Sequence, residues 1–356
     1  MPLPSRYTAL AQAVQRNCDR IDAVHAQDLS LCIYLLQMRE FYRWERQLEL
    51  HQIPERGDVG RWIAARESQW DALSADALEP SPLPLCSAGV DAFDETAVNR
   101  QIDSHGLVYA AGVGVSGRAV FMLAERESRT QRDGATVTIT GAEHARGMHP
   151  PIATSRGDQI LVRGDVLRRW LATRLELSQM RPSAEGLAAA RDAWAAPTDP
   201  SAALESIALT ETESVILHEL GEIQAGRLLG EQWETMLASL QDRRVEIIAR
   251  AVRDLLADCL LTLPELLDRD ARGSLHFWFA NLEGMRRVLA PDLFDAYLRW
   301  RDGSAHALTQ AVAQGAEHWL VQAREMLMVW QQGGAPTMRV FSEALVDAAN
   351  SRQPRA

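Results

Sequence analysis

Apolar residues recur every three to four positions from residue 5 to about residue 75 and again from Asp165 onward, with a stretch of different rhythm between. That spacing is the period of an amphipathic helix, so both flanks are predicted to be helical. In the second predicted helix, from about Asp28 to Leu50, Leu31, Ile33, Tyr34, Leu35, Leu36 and Met38 make the surface apolar almost all round, which predicts burial on most sides. Its later turns set Arg39, Glu40, Arg43 and Glu45 among Phe41, Tyr42 and Trp44. Charges that close to a core need partners.

The segment EPSPLPLCSAG at 79–89 breaks the helical pattern with proline and reads as part of a connector over 79–104. Across 105–165 the runs GLVYAAGVGV, RAVFMLAE, ATVTIT and DQILVRG are short, rich in β-branched residues and separated by Ser-Gly, Asp-Gly and Arg-Gly-Asp turn signals. They predict a small antiparallel β subdomain. From 166 to 350 the helical period returns in segments bounded by Pro, Gly or Asp, with APTDPS at 196–201 as the clearest loop. The expected fold is mainly α (α+β), a helical bundle with an inserted sheet, following an N-terminal helical region over 1–78.

Composition narrows the chemistry. The chain has 356 residues, a net charge of -11, and no lysine, so every basic side chain apart from histidine is arginine. A lysine-free chain has no lysine to form a Schiff base with pyridoxal phosphate (PLP), and neither a Walker A nor a kinase-type lysine. The acidic balance argues against nucleic acid or an anionic membrane surface as partner. The N-terminus lacks an apolar run after a basic start, and no stretch is apolar enough for a bilayer span, so a cytoplasmic protein is expected. Cys18, Cys32, Cys86 and Cys259 share no metal or disulfide spacing, and Cys32 and Cys259, inside apolar helical runs, are expected in the core.

The segment carrying the most chemistry is His218-Glu219-Leu220-Gly221-Glu222. On a helix His218 and Glu222 lie about 40 degrees apart, close enough to share one metal ion. Their face includes Val215, Gly221, Ala225 and Leu229, so both would be partly desolvated. Glu219 lies about 100 degrees from His218, where a general base could orient a metal-bound water. The pattern resembles the zinc-peptidase signature with Glu222 in place of its second histidine. A metal pair and a structural His218–Glu222 hydrogen bond both satisfy it.

Further ligands could come from Asp254 and Asp258, four apart on another helix, from His276 in SLHFWFANLEGMRR, and from Glu40 or Glu45. Each has a plain alternative: an Arg250–Asp254 helical pair with Asp258 in solvent, a packed histidine among aromatics, and pairing with Arg39 and Arg43. If these groups met they would resemble a carboxylate-rich dinuclear iron or manganese site, and the divalent metal expected of the chain is zinc, iron or manganese. Gly112 to Gly117 matches GxGxxG, but the following RAVFMLAE reads as a returning strand, so no NAD site is expected. Ser116, Cys18 and Cys86 have no base beside them in sequence, and His144 and His149 are a weak loop pair.

Five segments, LCIYLLQMREFYRWE at 31–45, GLVYAAGVGVSGRAVFMLAE at 106–125, ILHELGE at 216–222, RAVRDLLADCLLTLP at 250–264 and LHFWFANLEGMRR at 275–287, together span most of the chain. They resemble an uncharacterised family of bacterial cytosolic proteins with no assigned function. The resemblance implies one cytosolic unit of this length and brings no activity. Two functions stand: a metal-dependent enzyme, hydrolase or dinuclear-metal oxidoreductase, with Glu219 as base, or a non-catalytic helical protein that binds a partner or apolar ligand around a buried polar network.

Overall fold

The computed structural model describes residues 5–50, 52–73, 79–114, 118–180, 185–194 and 197–352. Helices dominate, with one curled, mixed five-stranded sheet. The chain divides into two compact units: residues 1–130, 137–152 and 161–173 form the first, and residues 131–136, 153–160 and 174–356 the second.

In the first unit, α1 (Thr8–His25), α2 (Leu31–Glu45), α3 (Arg56–Asp71) and α4 (Glu95–Ile102) precede the sheet. The stretch expected as a connector thus holds α4 and an isolated bridge between Leu83 and Val90. Strand β1 (Leu107–Val113) pairs antiparallel with β2 (Ala119–Arg132), Val113 facing Ala119. The GxGxxG stretch is therefore flanked by the two strands of a hairpin, while Val115, Ser116 and Gly117 lie outside the described residues. The strand order is completed by β3 (Ala135–Arg146), β5 (Gln159–Arg163) and β4 (Ala153–Arg156), in the sequence β1-β2-β3-β5-β4. Asp133 and Gly134, both at positive φ, make the two-residue turn between β2 and β3 that the Asp-Gly signal predicts.

The sheet is mixed rather than antiparallel throughout. Thr136 N–H donates to Asp158 O and Thr140 Oγ1 to Val162 O, so partners advance together along β3 and β5. Within β2, Phe121, Met122, Leu123 and Ala124 are all buried, so both sheet faces are covered there. Phe121 and Leu123 join Leu10, Val14, Ile102 and Tyr109 in one core cluster, and Met122 and Ala124 join Val108 in another.

Helix α2 corrects the reading of its apolar run. Leu31, Cys32, Ile33 and Leu35 in its first turns are exposed, and the buried part is Met38, Glu40, Phe41 and Arg43. An all-round apolar helix does not reveal which face its neighbours cover. Glu40 pairs with Arg43 at 3.3 Å, and Glu45 accepts from Trp62 Nε1 at 3.1 Å and pairs with Arg66.

Apart from β4 and the ends of β2, β3 and β5, the second unit is helical: α7 (Pro200–Leu229), α8 (Glu231–Ser239), α9 (Arg243–Ala257), a π-helical turn (Asp258–Thr262), α10 (Leu263–Asp268), α11 (Arg272–Ala280), α12 (Gly284–Leu289), α13 (Pro291–Arg301) and α14 (Ala305–Arg352), which breaks at Gly334. Helix α5 (Gly164–Met180), whose residues to Thr173 are counted with the first unit, and α6 (Glu185–Trp194) precede them. Asp199 caps α7 by accepting from Ala202 N–H with Pro200 in the first turn, and Asp242 caps α9 through Arg244 N–H. Trp233, Ile248, Val252, Leu255, Leu275 and Trp319 belong to the large core these helices enclose. Among the described residues no helix is long and apolar enough to cross a membrane.

Candidate metal centre

Helix α7 meets the end of α9 where Gly221 has no side chain. A β-carbon there would lie 2.6 Å from the carbonyl oxygen of Ala257, inside contact distance, so glycine sets how closely the two backbones approach. That approach carries His218 to Asp258, the first residue of the π turn, where Nδ1 and Oδ1 stand 2.8 Å apart. Short π turns inside helices recur at functional sites because they re-aim the side chains that follow.

With Nδ1 engaged by a carboxylate, the other ring nitrogen is left to face the rest of the cluster. His218 Nε2 lies 3.6 Å from Glu222 Oε1. His218, Glu222 and Asp254 each bring one potential ligand atom to a group whose members are all within 4.8 Å of one another. Ligands about 2.0 to 2.2 Å from a zinc ion stand about 3.3 Å apart in a tetrahedron, so the His–Glu spacing fits and the widest pair must close somewhat. The three side chains are partly open to solvent, 26%, 16% and 26% exposed for His218, Glu222 and Asp254. An ion held here would keep room for water or substrate.

The surroundings are strongly ionic. Arg253 Nη2 donates to Glu222 Oε1 at 3.0 Å and lies 3.8 Å from Asp254, and its Nη1 is 3.5 Å from the exposed Glu234. Arg286 Nη1 donates to Asp258 Oδ2 at 3.3 Å, and Ser155 Oγ to Glu222 Oε2 at 3.3 Å. Burial pushes the Glu219 and Asp254 carboxyls up, reinforced in each by the charge of Glu222. Burial alone would do the same to Glu222 and Asp258, yet the His218 contact and a neighbouring arginine hold both down. Burial disfavours the His218 imidazolium, but Asp258 and Glu222 outweigh it and raise its pKa well above the usual range. Glu219 is 6% exposed and its Oε2 has no hydrogen-bond partner.

Four carboxylates, Glu219, Glu222, Asp254 and Asp258, face two guanidiniums. A proton kept on Glu219 together with a His218 imidazolium, or a dication with neutral His218 and all four acids ionised, each brings the charge to balance.

The predicted residues thus fall into distinct places. His218, Glu222 and Asp254 converge, Glu219 lies beside them, and Asp258 stands behind the imidazole, fully buried instead of solvated. Arg250 pairs with Glu246 rather than Asp254. His276 is buried against Tyr297, whose hydroxyl is 2.9 Å from Nδ1, and beside Trp300, outside the ligand group. Glu40 belongs to the first unit with Arg43. Sequence reasoning overlooks Arg253, Arg286 and Ser155, which contact Glu222, Asp258 and Glu222 respectively. Only Arg253, next to Asp254, could have been suspected from spacing.

A second buried acid lies two turns earlier on α7. Glu211, 3% exposed, accepts from Ser274 Oγ at 2.6 Å and Trp194 Nε1 at 3.2 Å. Burial pushes its pKa up to about 7.

Two models of one family match the chain, the N-terminal domain over residues 9–163 and the C-terminal domain over 168–348. The chain belongs to the DUF6866 family of unknown function. All the residues of the cluster except Ser155 fall within the match to the DUF6866 C-terminal domain. No curated protein matches the chain. No solved structure matches it either.

Proposed function

We propose that this DUF6866 protein binds one divalent metal ion, zinc, iron or manganese, through His218 Nε2, Glu222 and Asp254, and uses it as a hydrolase to activate water. The observation that carries this reading is the 2.8 Å contact between His218 Nδ1 and the fully buried Asp258. A carboxylate behind a ligating imidazole fixes its tautomer and raises its basicity. Glu219, one residue along from His218 with an unpartnered oxygen, would serve as general base toward a water that the ion would activate. Three grouped ligands hold one ion, which favours the hydrolase over a dinuclear oxidoreductase. Cytoplasmic residence belongs to the same proposal, supported by four free cysteines.

A second reading has its own support. Arg253 on Glu222 and Arg286 on Asp258 satisfy the carboxylates without an ion, as a structural network in a non-catalytic protein would. Metal titration by calorimetry, with elemental analysis of protein purified without chelators, separates the two. The metal reading expects one ion per chain, lost in a still-folded His218→Ala variant. Substoichiometric metal in the wild type, with His218→Ala costing a few kcal/mol of stability, would favour the network.

A further inference from the structure

Strands β3 and β5, the parallel neighbours of the sheet, end at Arg146 and Arg163, and α5 begins at the next residue, Gly164. A β-carbon on Gly164 would lie 2.6 Å from Thr140 O, so glycine lets the start of α5 close onto β3. The carboxyl ends of parallel strands, beside the unpaired N–H groups of a helix N-terminus, are a natural place for an anion. Three arginines crowd it. Arg146 Nη1 lies 3.5 Å from Glu143 Oε2 and 3.8 Å from Oδ2 of Asp165, in the first turn of α5. Arg163 Nε reaches the other oxygen of Glu143 at 2.6 Å, and Arg169 Nε shares Asp165 Oδ2 at 2.8 Å. Two acids thus serve three guanidiniums. Each arginine also keeps a buried nitrogen with no hydrogen-bond partner: Arg146 Nη1, Arg163 Nη2 and Arg169 Nη1. The Arg146 and Arg163 side chains are only 3% and 2% exposed, and polar groups buried that deeply are costly to leave unpaired. A small closure would join Arg146 Nη1 to Glu143 Oε2, which is unpartnered too, but Arg163 Nη2 and Arg169 Nη1 would still want an acceptor. The acids of α1 and α2 have arginines of their own: Asp22 takes Arg118, and Asp19 and Glu45 share Arg66.

We propose that Arg146, Arg163 and Arg169, with the start of α5, bind a phosphate group, as the free ion or a small monoester. The surplus guanidinium and the helix N-terminus together supply about +1.5 charges, and a phosphoryl group carries about -1.5 to -2. Three guanidiniums can each meet a different oxygen of a tetrahedral anion, whereas a carboxylate offers two oxygens. The solvent edge of the cluster lies on α5, where the Arg169 and Asp165 side chains are 12% and 19% exposed, so the ligand enters there and is small. All of these residues belong to the first unit, and the site stands independently of the metal centre.

The test titrates inorganic phosphate, glycerol 3-phosphate and acetate into the full chain by calorimetry, in a chloride buffer with a chelator, so that no metal contributes. Wild type, Arg146→Gln and Arg169→Gln are compared, with thermal melts to verify folding. The wild type is expected to bind one phosphate per chain, and each variant to bind it about tenfold more weakly. Arg169 is the least buried of the three, so Arg169→Gln decides the matter if Arg146→Gln does not fold. Glycerol 3-phosphate binding as tightly as phosphate marks a site for a monoester, and its refusal a site for the free ion; both support the arginines as the binding groups. The proposal is overturned if the wild type does not bind phosphate, if acetate binds as tightly, or if Arg169→Gln binds phosphate as well as the wild type.

Discussion

The carbonyl oxygen of Ala257 occupies the space that a side chain on Gly221 would need, 2.6 Å from the position of its β-carbon. Gly221 lies between His218 and Glu222 on α7, and Ala257 immediately precedes Asp258. One missing methyl group therefore sets the distance across which the site is assembled. Gly221→Ala would force the two backbones apart, and overpacking of this kind costs about 1 to 3 kcal/mol. Denaturant unfolding should show that loss. Metal affinity should fall with it, because His218 moves away from Asp258. A variant with unchanged stability and affinity would mean the helices yield without cost.

Asp258 offers a sharper test. It is fully buried and holds both His218 and Arg286. Asp258→Ala strands two cationic partners, and breaking a buried ion pair this way costs about 3 to 5 kcal/mol. Asp258→Asn keeps an oxygen for His218 Nδ1 but loses the charge behind the ring. Metal affinity in Asp258→Asn should drop about 10- to 100-fold, as for other partners of ligating histidines. Calorimetry at fixed pH measures it, and an unchanged affinity would remove Asp258 from any role at the metal.

Local period made part of this site legible. His218 and Glu222 share a face because four residues are just over one helical turn, and that relation needs no tertiary information. The same count puts Asp254 and Asp258 together, and the Asp258 N–H does bond to Asp254 O, yet the structure uses them differently because only Asp258 meets His218 Nδ1, a contact set by the neighbouring helix α7. Arg286 and Ser155 were invisible: they reach Asp258 and Glu222 across 28 and 67 residues of chain. The strands of 105–165 were readable from β-branched runs and turn residues, but the parallel neighbours β3 and β5 were not, since pairing direction depends on where the connection leads.

Glu211 predicts a pH dependence of stability. Its partners Ser274 and Trp194 are neutral donors, and burial lifts its pKa from 4.5 to about 7. A carboxyl raised in the folded state binds its proton more tightly than the unfolded chain does. The resulting stabilisation is complete below the unfolded value of 4.5 and is lost as pH rises through about 7. Glu211→Gln keeps an acceptor for both donors and cannot ionise. Between pH 5 and pH 8 the wild type should lose up to about 3 kcal/mol relative to Glu211→Gln. Urea unfolding at the two pH values checks it, and parallel profiles for the two proteins would refute it.

The first unit holds a buried pair that should behave as an all-or-nothing device. Arg163 Nε lies 2.6 Å from Glu143 Oε1, with side chains 2% and 0% exposed, and Arg146 Nη1 is 3.5 Å from the other carboxylate oxygen. Removing the carboxylate by Glu143→Ala leaves two guanidiniums buried without their main counter-charge, a loss of about 3 to 5 kcal/mol. Replacing Glu143 and Arg163 together with methionine removes the desolvation burden along with the attraction, and such exchanges are often neutral or better. Arg146 keeps Asp165 at 3.8 Å as an alternative partner. The double variant should therefore be more stable than Glu143→Met or Arg163→Met alone, with a coupling energy of about 1 to 3 kcal/mol in the double-mutant cycle these make with the wild type. Additive losses would show that the two side chains contribute by packing alone.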